Sequence, residues 1–281
     1  MNPNNPLKQY FRQPAIYIKL PSQGKNYPAG ALTIPPTGEL PIYPMTAIDE
    51  ITYRTPDALY NGQATVNVIQ SCVPDIKDAW AIPTTDIDTL LIAIRIATHG
   101  HDMEFSTTCP ACKKDSERTI DLRTVLDSMR VADYNKTVHS GDMEIFFKPL
   151  TYKHLNNNNQ MQYENQKLLQ MLPDSDIPDT DKMTALSDAL KKITDITVVA
   201  LAQSIAAVKT PQATVYEPEY IEEMLKNCGS GLFNQIRDFI LELKASSEMQ
   251  PLKIVCDEPD CGHEYEQSIT LDMASFFGYA S

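Results

Sequence analysis

Four of the six cysteines stand in two close pairs. Cys109-Pro-Ala-Cys112 is a CxxC, and Cys256 and Cys261, with four residues between them, form a looser counterpart with His263 just beyond. Two cysteine pairs supply the four soft ligands that Zn²⁺ takes in a tetrahedron, and a fully protein-ligated ion keeps no open position for water or substrate. The chemistry expected here is therefore structural. A Zn²⁺ held by Cys109, Cys112, Cys256 and Cys261 would staple together parts of the chain more than 140 residues apart. The second pair is spaced more widely than is usual, so His263 stands as a possible substitute ligand. Two other readings stay open: hairpins that have lost their metal, and redox use of the CxxC. Redox use is disfavoured, because Cys109 and Cys112 do not lie between the strand and helix of a βαβ pattern. Cys72 and Cys228 fall on helical patterns, where a buried thiol is the default.

The elements that must position these cysteines are β-hairpins. Each pair interrupts two β-like runs, as a metal knuckle at a hairpin tip would. The segments beyond the pairs match without a gap: Glu117-Arg-Thr-Ile-Asp-Leu122 begins five residues past Cys112, and Glu266-Gln-Ser-Ile-Thr-Leu271 five residues past Cys261. One hairpin thus occurs twice; if it holds no metal, packing alone must hold it, with Ile120, Leu122, Ile269 and Leu271 as its expected core.

Around the hairpins the pattern is mostly helical. Residues 15–45 alternate short β-like runs with Pro-containing turns and read as an extended segment lying across a larger unit or a neighbour. Thr46 with Asp49 resembles a capping box. Short helices are predicted to about Tyr53, from Thr55-Pro56-Asp57 to Gly62, and over Gln63–Cys72. A central helix opens at Thr85 and Asp88, carries Ile87, Leu90, Leu91 and Ile94, and stops at Gly100. Met143–Lys148 reads as a strand. Residues 151–250 read as all helix: a polar Asn/Gln-rich stretch to Leu172, an acidic loop over Asp174–Asp181, then Lys182–Val208 with Met183, Leu186, Leu190, Ile193, Leu201 and Ile205 on its buried face. The predicted fold is α+β and mainly helical. Its expected parts are an extended Pro-rich segment (1–45), a helical unit (46–100), a small split zinc-ribbon-like β unit (101–150 with 251–281) and a helical insertion (151–250).

Composition and charge remove whole classes of function. The 281 residues carry 24 basic and 37 acidic side chains, a net charge of −13, with no Lys/Arg-rich stretch. Such a chain is repelled by phosphate, which argues against nucleic-acid and anionic-membrane partners. The N-terminus shows neither the apolar core nor the cleavage site of a signal peptide, so synthesis in a reducing cytoplasm is expected, where cysteines need a role other than disulfides. No stretch is apolar enough to span a bilayer. There is no phosphate-binding glycine loop, no HExxH and no GxSxG. His99 and His101 bracket a helix end, where a cationic C-cap and a loop residue are the plain reading. No catalytic constellation and no small-molecule substrate site emerge, so the chain is read as a non-enzyme.

Several phrases together resemble one family. They are Ile18-Lys-Leu-Pro-Ser-Gln-Gly-Lys-Asn-Tyr27, Pro44-Met-Thr-Ala-Ile-Asp-Glu50, Thr55-Pro-Asp-Ala-Leu-Tyr-Asn-Gly62, Val68-Ile-Gln-Ser-Cys-Val73, Asp86 with Leu90-Leu-Ile-Ala-Ile-Arg95, and Cys109-Pro-Ala-Cys112. In that order the chain is similar to the T-even-type baseplate hub or hub-assembly proteins of contractile-tailed bacteriophages, over about residues 15–125 and again through the second knuckle. Residues 151–250 carry no such phrase. The resemblance implies a virion protein of the tail baseplate, made in the host cytoplasm and acting through contacts with other tail proteins. It also maps the family's knuckles onto Cys109, Cys112, Cys256 and Cys261. A transient assembly factor absent from the mature particle is the alternative. A zinc-ribbon regulator is a third reading, carried by the knuckles alone.

Overall fold

The structure is a computed structural model that describes residues 5–53, 62–171 and 178–268. The described residues divide into two compact units. The helix expected from Thr55, the residues Ile269 and Leu271, and residues 174–177 of the acidic 174–181 loop lie outside them; from Asp179 the rest of that expected loop is helix.

The first unit takes the described residues of Met1–Ala79, Thr85–Arg130 and Glu248–Ser281. The Pro-rich segment folds onto its own unit: β1 (Ile16–Ile18) pairs antiparallel with β2 (Leu40–Ile42), burying Ile18, Leu40 and Ile42. Helix α1 (Ala47–Tyr53) begins with the predicted capping box, since Thr46 N–H and hydroxyl donate to Asp49 Oδ2 while Asp49 N–H donates back to Thr46 Oγ1. Helix α2 (Gln63–Cys72) follows. Helix α3 (Thr84–His99) is the centre of the unit, with an unbroken run buried from Leu90 to Ile96. A helix buried on every side is one enclosed by its own domain. Gly100, in the left-handed region at φ 87°, closes it by donating to the Ile96 carbonyl.

Two hairpins complete this unit. Strands β3 (Asp102–Thr108) and β4 (Asp115–Asp121) form the first, and α4 (Leu122–Ser128) follows, capped by the Asp121 carboxylate on the Arg123 N–H. The second hairpin joins β9 (Leu252–Val255) to β10 (Glu264–Gln267).

The second unit takes Trp80–Thr84 and the described residues of Val131–Ser247. Strands β5 (Thr137–Ser140), β6 (Met143–Phe147), β7 (Ile205–Lys209) and β8 (Thr214–Val215) form one antiparallel sheet in that order. Helices α5 (Tyr152–Met171), α6 (Asp179–Ser204), α7 (Pro218–Asn227) and α8 (Ser230–Ser247) surround a core that includes Ile145, Leu201, Ile205, Ile221 and Ile236. Trp80 belongs to this unit and stacks on Tyr152 at 5.5 Å between ring centroids. The two long helices pack through polar side chains: Asn165 donates to the Ala189 carbonyl at 2.8 Å, and Asn158 to Gln203 at 3.3 Å.

Three sequence expectations are corrected here. The strand at Met143 joins the sheet of the second unit and not the cysteine hairpins, because β7 pairs with it across Glu144–Phe147. For the same reason residues 151–250 are not all helix. The predicted 182–208 helix stops at Ser204, and Ile205-Ala-Ala-Val208 goes to the sheet, a sequence compatible with either state and decided by its long-range pairing. Third, the buried stripe of that helix holds only at its C-terminal end: Leu201 is buried, whereas Met183, Leu186, Leu190 and Ile193 are 73, 45, 54 and 37% exposed.

Candidate metal centre

The two hairpins are copies in register. Thr108 faces Asp115 as Val255 faces Glu264, and Thr107 faces Ser116 as Ile254 faces Tyr265. The first cysteine of each pair directly follows the outgoing strand, and the second stands three residues before the return strand. The extra residues between Cys256 and Cys261 are taken up at the tip, so strand phase is kept and the inward positions match: Thr107 and Ile254 are both buried. Alternation along a strand leaves no other solution, since a one-residue slip would turn every side chain to the opposite face.

The tips close with equivalent bonds. Cys109 N–H donates to the Lys114 carbonyl at 3.0 Å, and Cys256 N–H to the His263 carbonyl at 2.9 Å. The residue after each second cysteine takes the left-handed region, Lys113 at φ 62° and Gly262 at φ 55°. Lys113 carries a Cβ there at a cost, which a closed knuckle must offset. His263 is therefore the counterpart of Lys114, a residue that serves through its backbone carbonyl. Its ring stacks on Tyr265, and the four cysteines form a cluster without it.

The sulfurs meet. All four Sγ atoms lie within 4.8 Å of one another, with Cys109 to Cys261 at 3.9 Å and Cys112 to Cys256 at 3.7 Å. Zinc–sulfur bonds of about 2.3 Å in a tetrahedron put sulfurs about 3.8 Å apart, so the cluster has the dimensions of a Zn²⁺ cage. All six cysteines are free thiols, and these separations are far longer than a disulfide bond.

Electrostatics fit the same ion. Backbone N–H groups of Cys112 and then Ala111 hold the Cys109 thiol down to about 6, against the opposing effect of burial. The backbone N–H of Glu258 pulls the Cys256 thiol the same way, yet burial and the neighbouring sulfurs of Cys112, Cys109 and Cys261 push it up to about 12. One thiolate is welcome in this cage and four repel each other. A divalent cation resolves that conflict, because a coordinated thiol is deprotonated outright. The donor set thus fits Zn²⁺, and Cys109, Cys112, Cys256 and Cys261 are the residues able to hold it.

Polar contacts also lace the hairpins together. Arg118 donates to the Val255 carbonyl at 2.6 Å and pairs with Asp257 at 2.7 Å. Lys114 pairs with Glu258, and Thr107 donates to Gln267 at 3.0 Å. The spacing of the cysteines did not disclose these contacts.

Two carboxylates, one read from the sequence only as a capping-box residue and the other given no role, anchor the segments on which the family phrases lie. Asp86, fully buried on α3, accepts the Ser22 N–H at 2.9 Å, the Ser22 hydroxyl and the Tyr27 hydroxyl at 3.0 Å. Burial raises its pKa, and the three bonds oppose that. Asp49 accepts from Thr46, from Ser71 Oγ at 3.0 Å and from Arg12, whose other guanidinium nitrogen reaches the Ser71 carbonyl at 2.7 Å. Their signal was present as Ser/Thr and Asp inside otherwise apolar segments. Of the histidines, His99 is held below its usual range by burial first and by Arg95 second, which works against the cationic helix cap expected of it. His101 lies 3.6 Å from Asp102.

No helix among the described residues is long and apolar enough to cross a membrane. No curated protein and no solved structure matches the chain significantly. The family described as T4 bacteriophage base plate protein matches from residue 17 to residue 278, nearly the whole length and including the 151–250 stretch that carries no recognisable phrase, and the chain belongs to that family.

Proposed function

We propose that the protein is a non-enzymatic structural component of a contractile phage tail baseplate, placed in its hub region and working through contacts with other tail proteins. The family match over residues 17–278 carries this reading. The tetrad of Cys109, Cys112, Cys256 and Cys261 is read as a structural Zn²⁺ site that fastens a split zinc-ribbon-like unit. The matched hairpins and sulfur separations near 3.8 Å support it. Four protein ligands leave the ion a role in folding, so what it supplies is a fixed surface for neighbours.

Mass spectrometry of purified particles tests the placement. Presence in stoichiometric amount is expected, and absence assigns the protein to transient assembly instead. Elemental analysis of protein never exposed to chelator tests the ion: about one equivalent of zinc is expected, and less than about half an equivalent overturns the site. The regulator reading predicts DNA binding that falls steeply with salt. A net charge of −13 predicts none at physiological salt.

A further inference from the structure

Were an ion to leave the cage, the fate of its four sulfurs would follow from how the hairpins face each other. Cys109 Sγ lies 3.9 Å from Cys261 Sγ and Cys112 Sγ 3.7 Å from Cys256 Sγ, and both contacts run from one hairpin to the other. They share no sulfur, so two bonds can form in one molecule. A disulfide holds its sulfurs about 2.05 Å apart, which asks each of these to move less than about 1 Å. Contacts outside the cage keep the tips facing while that happens: Lys114 on Glu258, Arg118 on Asp257 and the Val255 carbonyl, and Thr107 on Gln267. Among the described residues Cys112, Cys256 and Cys261 are half-buried, open enough for a small oxidant, and Cys109 is buried behind them.

We infer that peroxide oxidises the cage across the hairpins, to Cys109–Cys261 and Cys112–Cys256, so that the split unit stays fastened after the ion is gone. This rests on the structural Zn²⁺ reading and gives the same cage a second, covalent state. In each pair one thiolate attacks a peroxide oxygen, giving a sulfenic acid and hydroxide. The facing thiolate then displaces the second hydroxide as the S–S bond forms. Four thiolates thus pass four electrons to two molecules of hydrogen peroxide, four hydroxides leave, and the Zn²⁺ goes to solvent. Exchange within a CxxC would join Cys109 to Cys112 and free the hairpins from each other. Crossed bonds do the reverse. A tail protein is built in a reducing cytoplasm and works on a particle outside it, where disulfides persist. Metal serves the first setting and sulfur–sulfur bonds the second.

The test takes the whole chain as purified, with its zinc measured first, and adds about two to ten equivalents of hydrogen peroxide. The protein is then alkylated, cleaved without reductant before Asp257 and Asp260, which parts Cys256 from Cys261, and mapped by tandem mass spectrometry. Release of about one equivalent of zinc to a chromogenic chelator is expected, with peptides joined as Cys109–Cys261 and Cys112–Cys256. Cys72 and Cys228, outside the cluster, should remain alkylated thiols. Amides of β3, β4, β9 and β10 in the oxidised protein should stay within about tenfold of their zinc-loaded protection in hydrogen exchange. They should lose it about a hundredfold once dithiothreitol is added with chelator. Less than about half an equivalent of zinc before oxidant overturns the zinc reading and this inference together. Full zinc followed by any other pairing, by sulfinic acids in place of disulfides, or by zinc still bound at the highest peroxide overturns this inference alone.

Discussion

The cysteine hairpins and the sheet-and-helix unit of residues 131–247 solve one problem in opposite ways. The second unit buries a contiguous set of large side chains, with Ile145, Ile205, Ile221 and Ile236 almost wholly removed from water. The described hairpin residues bury little that is apolar: Ile120, Ile254 and Cys109, with the hydroxyl of Thr107 among them. Seven-residue and four-residue two-stranded ribbons do not hold in water by themselves. One region is held by dehydration of hydrocarbon. The other depends on a few directional bonds, with sulfur at their meeting point.

Removing metal should separate the two regions most sharply. With chelator, or in Cys109→Ser, backbone amides of β3, β4, β9 and β10 should lose protection in hydrogen exchange by a factor of about 100 or more, since a structural zinc contributes on the order of 10 kcal/mol in the best small cases. The amides of β6 and β7 should be unchanged. Equal loss in both regions would show that the hairpins and the helical unit unfold together.

The converse experiment acts on the second unit. Ile236→Ala leaves a cavity in its core and should cost about 2–5 kcal/mol by urea unfolding, while zinc content stays at one equivalent. A fall in zinc content would erase the contrast between the regions.

A smaller effect is expected at the anchor of the N-terminal segment. Arg12→Ala removes the donors to Asp49 and Ser71 and should cost about 1–3 kcal/mol, read as earlier proteolysis before residue 16 than in the second unit.

Asp86 gives a pH dependence of known sign. Burial raises its folded pKa, so the native state holds the proton more firmly than the unfolded chain does. Its contribution is fully favourable at low pH and declines as pH rises from the unfolded value of about 3.9 through the folded one. Wild type should therefore lose stability relative to Asp86→Asn as pH increases across that window, measured by urea midpoints at successive pH values. A constant difference would sink the assignment. The least effect is expected from Lys114→Ala, an exposed partner of Glu258, which should leave zinc content and melting unchanged in high salt.

The hairpins and their cysteines were legible because both signals are local: strand alternation and a gapless repeat fix phase and spacing together. The capping box at Thr46 and the run of α3 were legible for the same reason. The pairing of β7 with β6 was not, since Ile205-Ala-Ala-Val208 satisfies either period and its partner lies some sixty residues away. Nor was the exposure of Met183, Leu186, Leu190 and Ile193. Periodicity marks a face that needs covering, and it is silent on whether the cover comes from the same chain. His263 attracted notice by its residue type, yet its place in the hairpin repeat is that of Lys114, where a carbonyl is what counts.

The sulfur cage also imposes an order in time. Cys112 and Cys256 lie 144 residues apart, with the whole of residues 131–247 between them. At about 5–20 residues per second, a ribosome needs about 7–30 s to travel from one to the other. Throughout that interval the first hairpin offers only half a cage. The unit coded in the middle has time to collapse around its own core before the last two thiols emerge. Whatever surface the closed cage presents is therefore the last part of the molecule to exist, and a nascent chain arrested before Cys261 cannot display it.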